Sequence, residues 1–169
     1  QAILESFIRD GKFQVAGESF ACLILPETKI IPLETYRKIA AFVNAGGKLV
    51  VLGNLPSVGM SESETKEVIQ ISGTLRDSKN LKRIDRISGL APAIAACIKP
   101  DVKIDKPCPE LFYNHRTGNM ADIYYLINLS DKPVAGAVTF RATGKAECWD
   151  PQTGEMNTPE GISQNNDNT

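Results

Sequence analysis

The sequence predicts an α/β domain with a short, mainly parallel sheet, followed by a small antiparallel β module. Three observations carry this expectation. Two continuous apolar runs, Phe20–Leu25 and Lys48–Leu52, flank an amphipathic helical stretch, the signature of strands buried on both faces of a parallel sheet. From Leu111 onward the apolar period becomes two, as in half-buried antiparallel strands. Between the halves, Lys99–Pro109 (KPDVKIDKPCP) holds three prolines among short charged spacers and reads as a linker or an extended edge segment. The expected organisation is an α/β domain over residues 1–105, a β module over 106–156 and a flexible polar tail over 157–169.

In the first half, Ile3, Leu4, Phe7 and Ile8 stand at helical spacing. They predict a helix over Ala2–Arg9, ended by Gly11 and followed by a turn around Gly17. Phe20–Leu25 is one strand, stopped by Pro26. Pro32–Ala45 is the strongest helix, with Leu33, Tyr36, Ile39, Ala40 and Val43 on one stripe. Pro32 suits its first turn, and Gly46 and Gly47 end it. With Lys48–Leu52 these elements make a βαβ unit. Ser61 and Glu64 form a capping-box pattern that opens a helix to about Ile71. Arg76–Arg86 is polar and receives no element. Ile87–Ile98 is apolar at helical spacing, with Pro92 in its first turn or kinking it.

In the second half, Leu111–Arg116, Ala121–Leu129, Val134–Arg141 and Lys145–Trp149 predict four antiparallel strands joined by turn-forming residues. Ile123–Ile127, apolar on both faces, is expected at the centre. Asp150–Gly154 is a turn. Residues 157–169 have almost nothing to bury.

Composition narrows the function classes. The 42% apolar and 23% charged shares are those of an ordinary globular protein. A net charge of −1 implies no nucleic-acid partner, because phosphate neutralisation needs clustered Lys and Arg. The basic stretch Lys79–Arg86 is interrupted by Asp85 and reads as solvated. With no apolar run of about 18 residues, no membrane-spanning helix is predicted. The chain begins with Gln1, which suggests a processed product or a piece of something longer. Cys22, Cys97, Cys108 and Cys148 include no CxxC pair, and there is a single His. Buried free thiols are therefore the expectation for the cysteines, with a disulfide left open, and neither metal nor other cofactor is implied.

No complete catalytic constellation stands in the chain. Gly53, Asn54 and Ser57 lie beyond the carboxyl end of a parallel strand, where α/β sheets bind ligands, and form a candidate ligand loop. A plain connection is the competing reading. The chain has no nucleophile elbow with Ser or Cys between glycines, so acyl-transfer chemistry has no nucleophile. His115 alternates with Tyr113 and Leu111 beside Arg116. It reads as a structural, hydrogen-bonded imidazole, and Arg116 is expected to pair with Asp122 across the hairpin. Glycoside cleavage requires two carboxylates roughly 5 to 10 Å apart, and nothing pairs Glu18, Glu27, Glu62, Glu64, Glu67 or Glu110. Trp149 with Tyr124 or Tyr125 could stack on a sugar, although buried aromatics of a β module are the commoner case.

Several segments taken together resemble one known pattern. They are ACLILPETKIIPLETYRKIAAFVNAGGKLVVLGNLP, then PDV, then YNHRTGNMADIYYLINLSD, then TFRATGKAECWDPQTGE. The order is similar to the non-catalytic region of large multidomain glycoside hydrolases, the α-L-rhamnosidases of family 106. The matching residues of the second half are His115, Arg116, Asp122, Asn128, Trp149, Asp150, Pro151, Gly154 and Glu155. The resemblance implies a flavodoxin-like, class I glutamine amidotransferase-like first domain, as in the trimerisation domain of β-galactosidases. It also implies that the catalytic carboxylates lie on a separate (β/α)8 barrel. The expected role is an accessory, non-catalytic region of a carbohydrate-degrading enzyme, with that barrel, in the same or a longer polypeptide, as partner. A secreted or periplasmic location follows from the same resemblance. A stand-alone carbohydrate-binding or oligomerisation module is the alternative.

Overall fold

The computed structural model describes residues 2–163. The chain divides into two compact units, the first up to Lys99 and the second from Pro100 on. The architecture is mixed α/β, with one parallel sheet and several small antiparallel ones.

The first unit opens on a short helix α1 (Ala2–Glu5) and a three-stranded meander of β1 (Phe7–Arg9), β2 (Lys12–Val15) and β3 (Glu18–Phe20). The helix expected over Ala2–Arg9 stops early. Asp10 and Gly11 both take positive φ, 50° and 68°, which is the two-residue hairpin turn that Asp-Gly favours. Ala16 and Gly17 repeat it. The expected single strand Phe20–Leu25 is likewise two strands. Residues up to Phe20 pair antiparallel with β2, whereas β4 (Cys22–Leu25) pairs parallel with the next element of the sheet.

That sheet has the order β4, β5 (Lys48–Leu52), β6 (Leu81–Ile84), all parallel. Strand β6 falls inside the polar stretch that received no element. Between the strands run α2 (Leu33–Asn44) and α3 (Glu62–Arg76), the latter longer than expected by more than one turn. Pro32 is the N-cap of α2, and the Ser61 hydroxyl accepts the Glu64 N–H at the start of α3. The Glu64 carboxylate returns to the Met60 N–H at 2.8 Å, one residue earlier than a capping box requires. A 3-10 turn, Ile87–Gly89, leads into α4 (Leu90–Cys97), with Pro92 in the first turn.

Side chains on neighbouring parallel strands share a face when they are register partners, so the sheet sorts its residues cleanly. Leu25, Leu49 and Val51 join Tyr36, Ile39, Phe42 and Val43 of α2 and Val68 and Leu75 of α3 in the main core. Phe13 of β2 closes that core by stacking on Phe42 at 4.3 Å. On the opposite face, Val50 and Ile84 pack against Ala93 of α4. Helices thus cover both faces of the parallel sheet.

Among the described residues the second unit contains three strand pairs, not the adjacent four-stranded array expected. β8 (Leu111–Thr117) and β9 (Asp122–Asn128) form a hairpin, and β9 pairs only with β8 among the described residues. It is therefore not a central strand. β10 (Val138–Phe140) pairs with β7 (Val102–Ile104), which lies inside the predicted linker. β11 (Cys148–Trp149) pairs with β12 (Met156–Asn157), so the expected tail contributes Asn157 to a strand. The rest of that tail beyond Ser163 lies outside the described residues. No helix among the described residues is long and apolar enough to cross a membrane.

Candidate functional site

The loop after β5 is held by its own backbone. The Gly53 N–H donates to the Ile84 carbonyl at 2.8 Å, and the N–H groups of Ser57 and Val58 both donate to the Lys29 carbonyl at 3.1 Å. The N–H groups of Gly53 and Ser57 are thus engaged within the fold. The side chain of Asn54 accepts from Arg83 Nη1 at 3.4 Å. Beneath the loop, the buried Ser72 hydroxyl donates to the Pro56 carbonyl at 2.5 Å and lies 2.7 Å from the Tyr36 hydroxyl. A carbonyl only accepts, so Ser72 spends its proton there and Tyr36 must donate to Ser72. Asn54, Pro56 and Ser57 line an open groove with Ile69, Arg76 and Arg83.

The polar centre of the second unit forms around His115. Register places His115 directly opposite Tyr124 and Thr117 opposite Asp122. The His115 and Tyr124 rings stack at 4.1 Å, and Tyr124 in turn meets Phe140 of β10 at 4.8 Å. His115 Nδ1 lies 3.1 Å from Asp101 Oδ2, and Nε2 lies 3.1 Å from Asp122 Oδ1. The other Asp101 oxygen accepts from Arg141 Nη2. The expected Arg116–Asp122 pair does not form. Neighbours on a strand face opposite ways, so Asp122 shares a side with His115, and Arg116 Nε instead donates to Asn114 Oδ1 at 3.4 Å.

Hydrogen bonds to Asp101 and then to Asp122 raise the His115 pKa above its ordinary 6.5. Bonds from His115 and Thr117 hold the Asp122 carboxyl below its ordinary range. Both ring nitrogens of His115 are engaged by carboxylates, so neither points at open space where a substrate proton would lie. What the cluster does is join the β7–β10 pair to the β8–β9 hairpin. Asp101, Phe140 and Arg141 were not among the expected site residues, and Tyr124 was expected only as a stacking aromatic beside Trp149. The PDV and TFRA segments that carry the first three belong to the resemblance, but only the fold brings them to His115.

Asp150 organises a third feature. Its Oδ1 accepts from the N–H groups of Gln152 and Thr153 at 2.7 and 3.0 Å, and its carbonyl accepts from Gly154. These bonds hold its carboxyl below the ordinary range. The WDPQTGE element is thus the turn of the β11–β12 hairpin. Trp149 is 63% exposed and is not one of the buried aromatics expected. The face of β8–β9 turned away from His115 carries Phe112, Ile123, Tyr125 and Ile127, each 39–61% exposed.

The comparisons with known proteins agree with this arrangement of segments. The family model described as alpha-L-rhamnosidase, glycoside hydrolase family 106, matches residues 2–160. A protein of Formosa agariphila named "Putative beta-glucuronidase" is 28% identical over 160 residues, which are 90% of this chain and 13% of that protein. The chain therefore spans about one eighth of the relative's length. No solved structure matches it. With the family model covering nearly the whole sequence, the chain belongs to the α-L-rhamnosidase family of glycoside hydrolases.

Proposed function

We propose that these residues serve as an accessory, non-catalytic region of a carbohydrate-degrading glycoside hydrolase, and that they pack on its catalytic barrel. The observation that carries this reading is the apolar face of β8–β9. Four large side chains on one side of a two-stranded sheet are uncovered, and contiguous exposed apolar surface marks an interaction site. The closed bonding of His115 supports the non-catalytic part. The small share of the relative's length that the chain spans supports a partner domain elsewhere in a longer polypeptide. The first unit is read as flavodoxin-like, of the class I glutamine amidotransferase type. That assignment draws on the parallel sheet with helices on both faces.

The test is calorimetric titration of the chain into a separately produced family 106 catalytic barrel. The reading expects saturable binding that Ile123→Asp with Tyr125→Asp abolishes while leaving the chain's circular dichroism unchanged. Absence of binding by the wild-type chain would overturn the packing role. A second reading, carbohydrate binding, is favoured by exposed Trp149. Because Trp149 is the only tryptophan, a sugar stacked on it would shift the intrinsic emission. An unchanged spectrum across a panel of oligosaccharides would remove that reading.

A further inference from the structure

We propose that Cys22 and Cys97 form a disulfide that staples the first unit when the chain meets a low-molecular-weight disulfide oxidant. Cys22 opens β4 and lies in register with Lys48. It shares the sheet face of Val50, not that of Leu23 and Leu25, because alternate residues share a side. Cys97 is the last residue of α4, the helix that covers this face. Both side chains pack against the same cluster of Val50, Ile84 and Ala93. Cys97 is close enough across it to act on the Cys22 thiol, whose own hydrogen bond goes to the Leu23 carbonyl at 4.0 Å; bridging requires the two Cα atoms to stand within about 7 Å. Both residues are partly exposed, which leaves them open to a small oxidant.

The remaining thiols are placed differently. Cys108 Sγ faces Glu110 Oε2 at 3.9 Å, and Cys148 is exposed on β11. Burial, with the neighbouring Cys97, pushes the Cys22 thiol up to about 11. It is therefore a poor initiating nucleophile. The Cys97 thiolate attacks one sulfur of glutathione disulfide and expels a glutathione thiolate. Cys22 then attacks the Cys97 sulfur of the mixed disulfide and expels the second glutathione. Two protein thiols are oxidised and one external S–S bond is reduced, the two protons passing to the two glutathiones. The closed ring from residue 22 to residue 97 encloses all three parallel strands with α2, α3 and α4. Long rings constrain the unfolded chain most.

To test this, the reduced full chain is incubated with glutathione disulfide, quenched in acid, alkylated with N-ethylmaleimide and digested without reductant for peptide mass mapping. The expected result is one cross-linked peptide pair joining Cys22 to Cys97, released by dithiothreitol. The oxidised chain should melt roughly 10 °C or more above the reduced one. Cys97→Ser should lose both the cross-link and the shift. Recovery of Cys22 and Cys97 as separately alkylated or glutathionylated peptides would overturn the proposal. So would a cross-link confined to Cys108 or Cys148, or a Cys22–Cys97 cross-link with no gain in melting temperature.

Discussion

The hydrogen-bonded chain from Tyr36 through Ser72 to Pro56 offers a quantitative test of how the first unit holds the loop after β5. Ser72→Ala removes the only link between two buried polar groups. The Pro56 carbonyl loses the hydroxyl that donates to it, and the Tyr36 hydroxyl loses its acceptor. Tyr36 is fully buried and Ser72 is 6% exposed, so water does not readily replace either partner. An orphaned buried polar group costs about 1–3 kcal/mol. Two of them, less about 0.5 kcal/mol from the better helix propensity of Ala, give a loss of about 1.5–5.5 kcal/mol. Tyr36→Phe leaves Ser72 bonded to Pro56 and should cost about 1 kcal/mol. In the double variant only the Pro56 carbonyl is orphaned, so it should be no less stable than Ser72→Ala alone. Urea unfolding of the full chain, followed by circular dichroism, measures all three. A cost below about 0.5 kcal/mol for Ser72→Ala, or additive losses in the double variant, would refute the reasoning.

Three further predictions follow from the geometry. Gly47→Ala would put a Cβ 2.2 Å from the Phe42 ring, which is pinned by Phe13, so the substitution should destabilise by about 1–3 kcal/mol in the same unfolding assay. His115, the sole histidine, should titrate above 6.5 in a proton NMR titration, and His115→Asn should remove the accompanying pH dependence of stability. The native state holds the His115 proton more tightly than the unfolded chain does. Its contribution is therefore full below 6.5 and fades as pH climbs through the raised native value, whereas that of Asp122 is full above 3.8 and fades as pH falls. The cluster is strongest between those limits, and amide protection in β8 and β9 should fall as pH rises above 6.5 through the raised native value of His115. Asp150→Ala removes the acceptor of two backbone N–H groups, and hydrogen exchange at Gln152 and Thr153 should accelerate while the first unit is unaffected.

Much of the first unit is legible in the sequence for physical reasons. Tyr36, Ile39 and Val43 repeat at helical spacing because one side of α2 faces the sheet, and Leu49–Val51 is continuously apolar because both faces of β5 are covered. Strand β6 escapes the same criterion because it is an edge. Only Leu81 and Ile84 meet the cores, and Lys82 and Arg83 face solvent. At the start of the chain, the helical spacing of Ile3, Leu4, Phe7 and Ile8 competes with Asp10-Gly11, and the hairpin signal prevails after one helical turn. The second unit is less legible because its pairings are distant. Nothing local in Val102–Ile104 announces Val138–Phe140 as its partner. That pairing is what brings Asp101 and Arg141 together beside His115. His115 stands out in the sequence as the only imidazole, but one of its two aspartates is chosen by topology.

The most direct test of the account is hydrolysis by the chain itself. Purified protein is incubated with nitrophenyl α-L-rhamnoside, β-glucuronide and β-galactoside, and nitrophenol release is followed against a buffer control. An accessory region without a catalytic carboxylate pair should release none above the control from any of the three. Turnover that persists through further purification and is lost in a variant of this chain's own carboxylates would contradict the non-catalytic role.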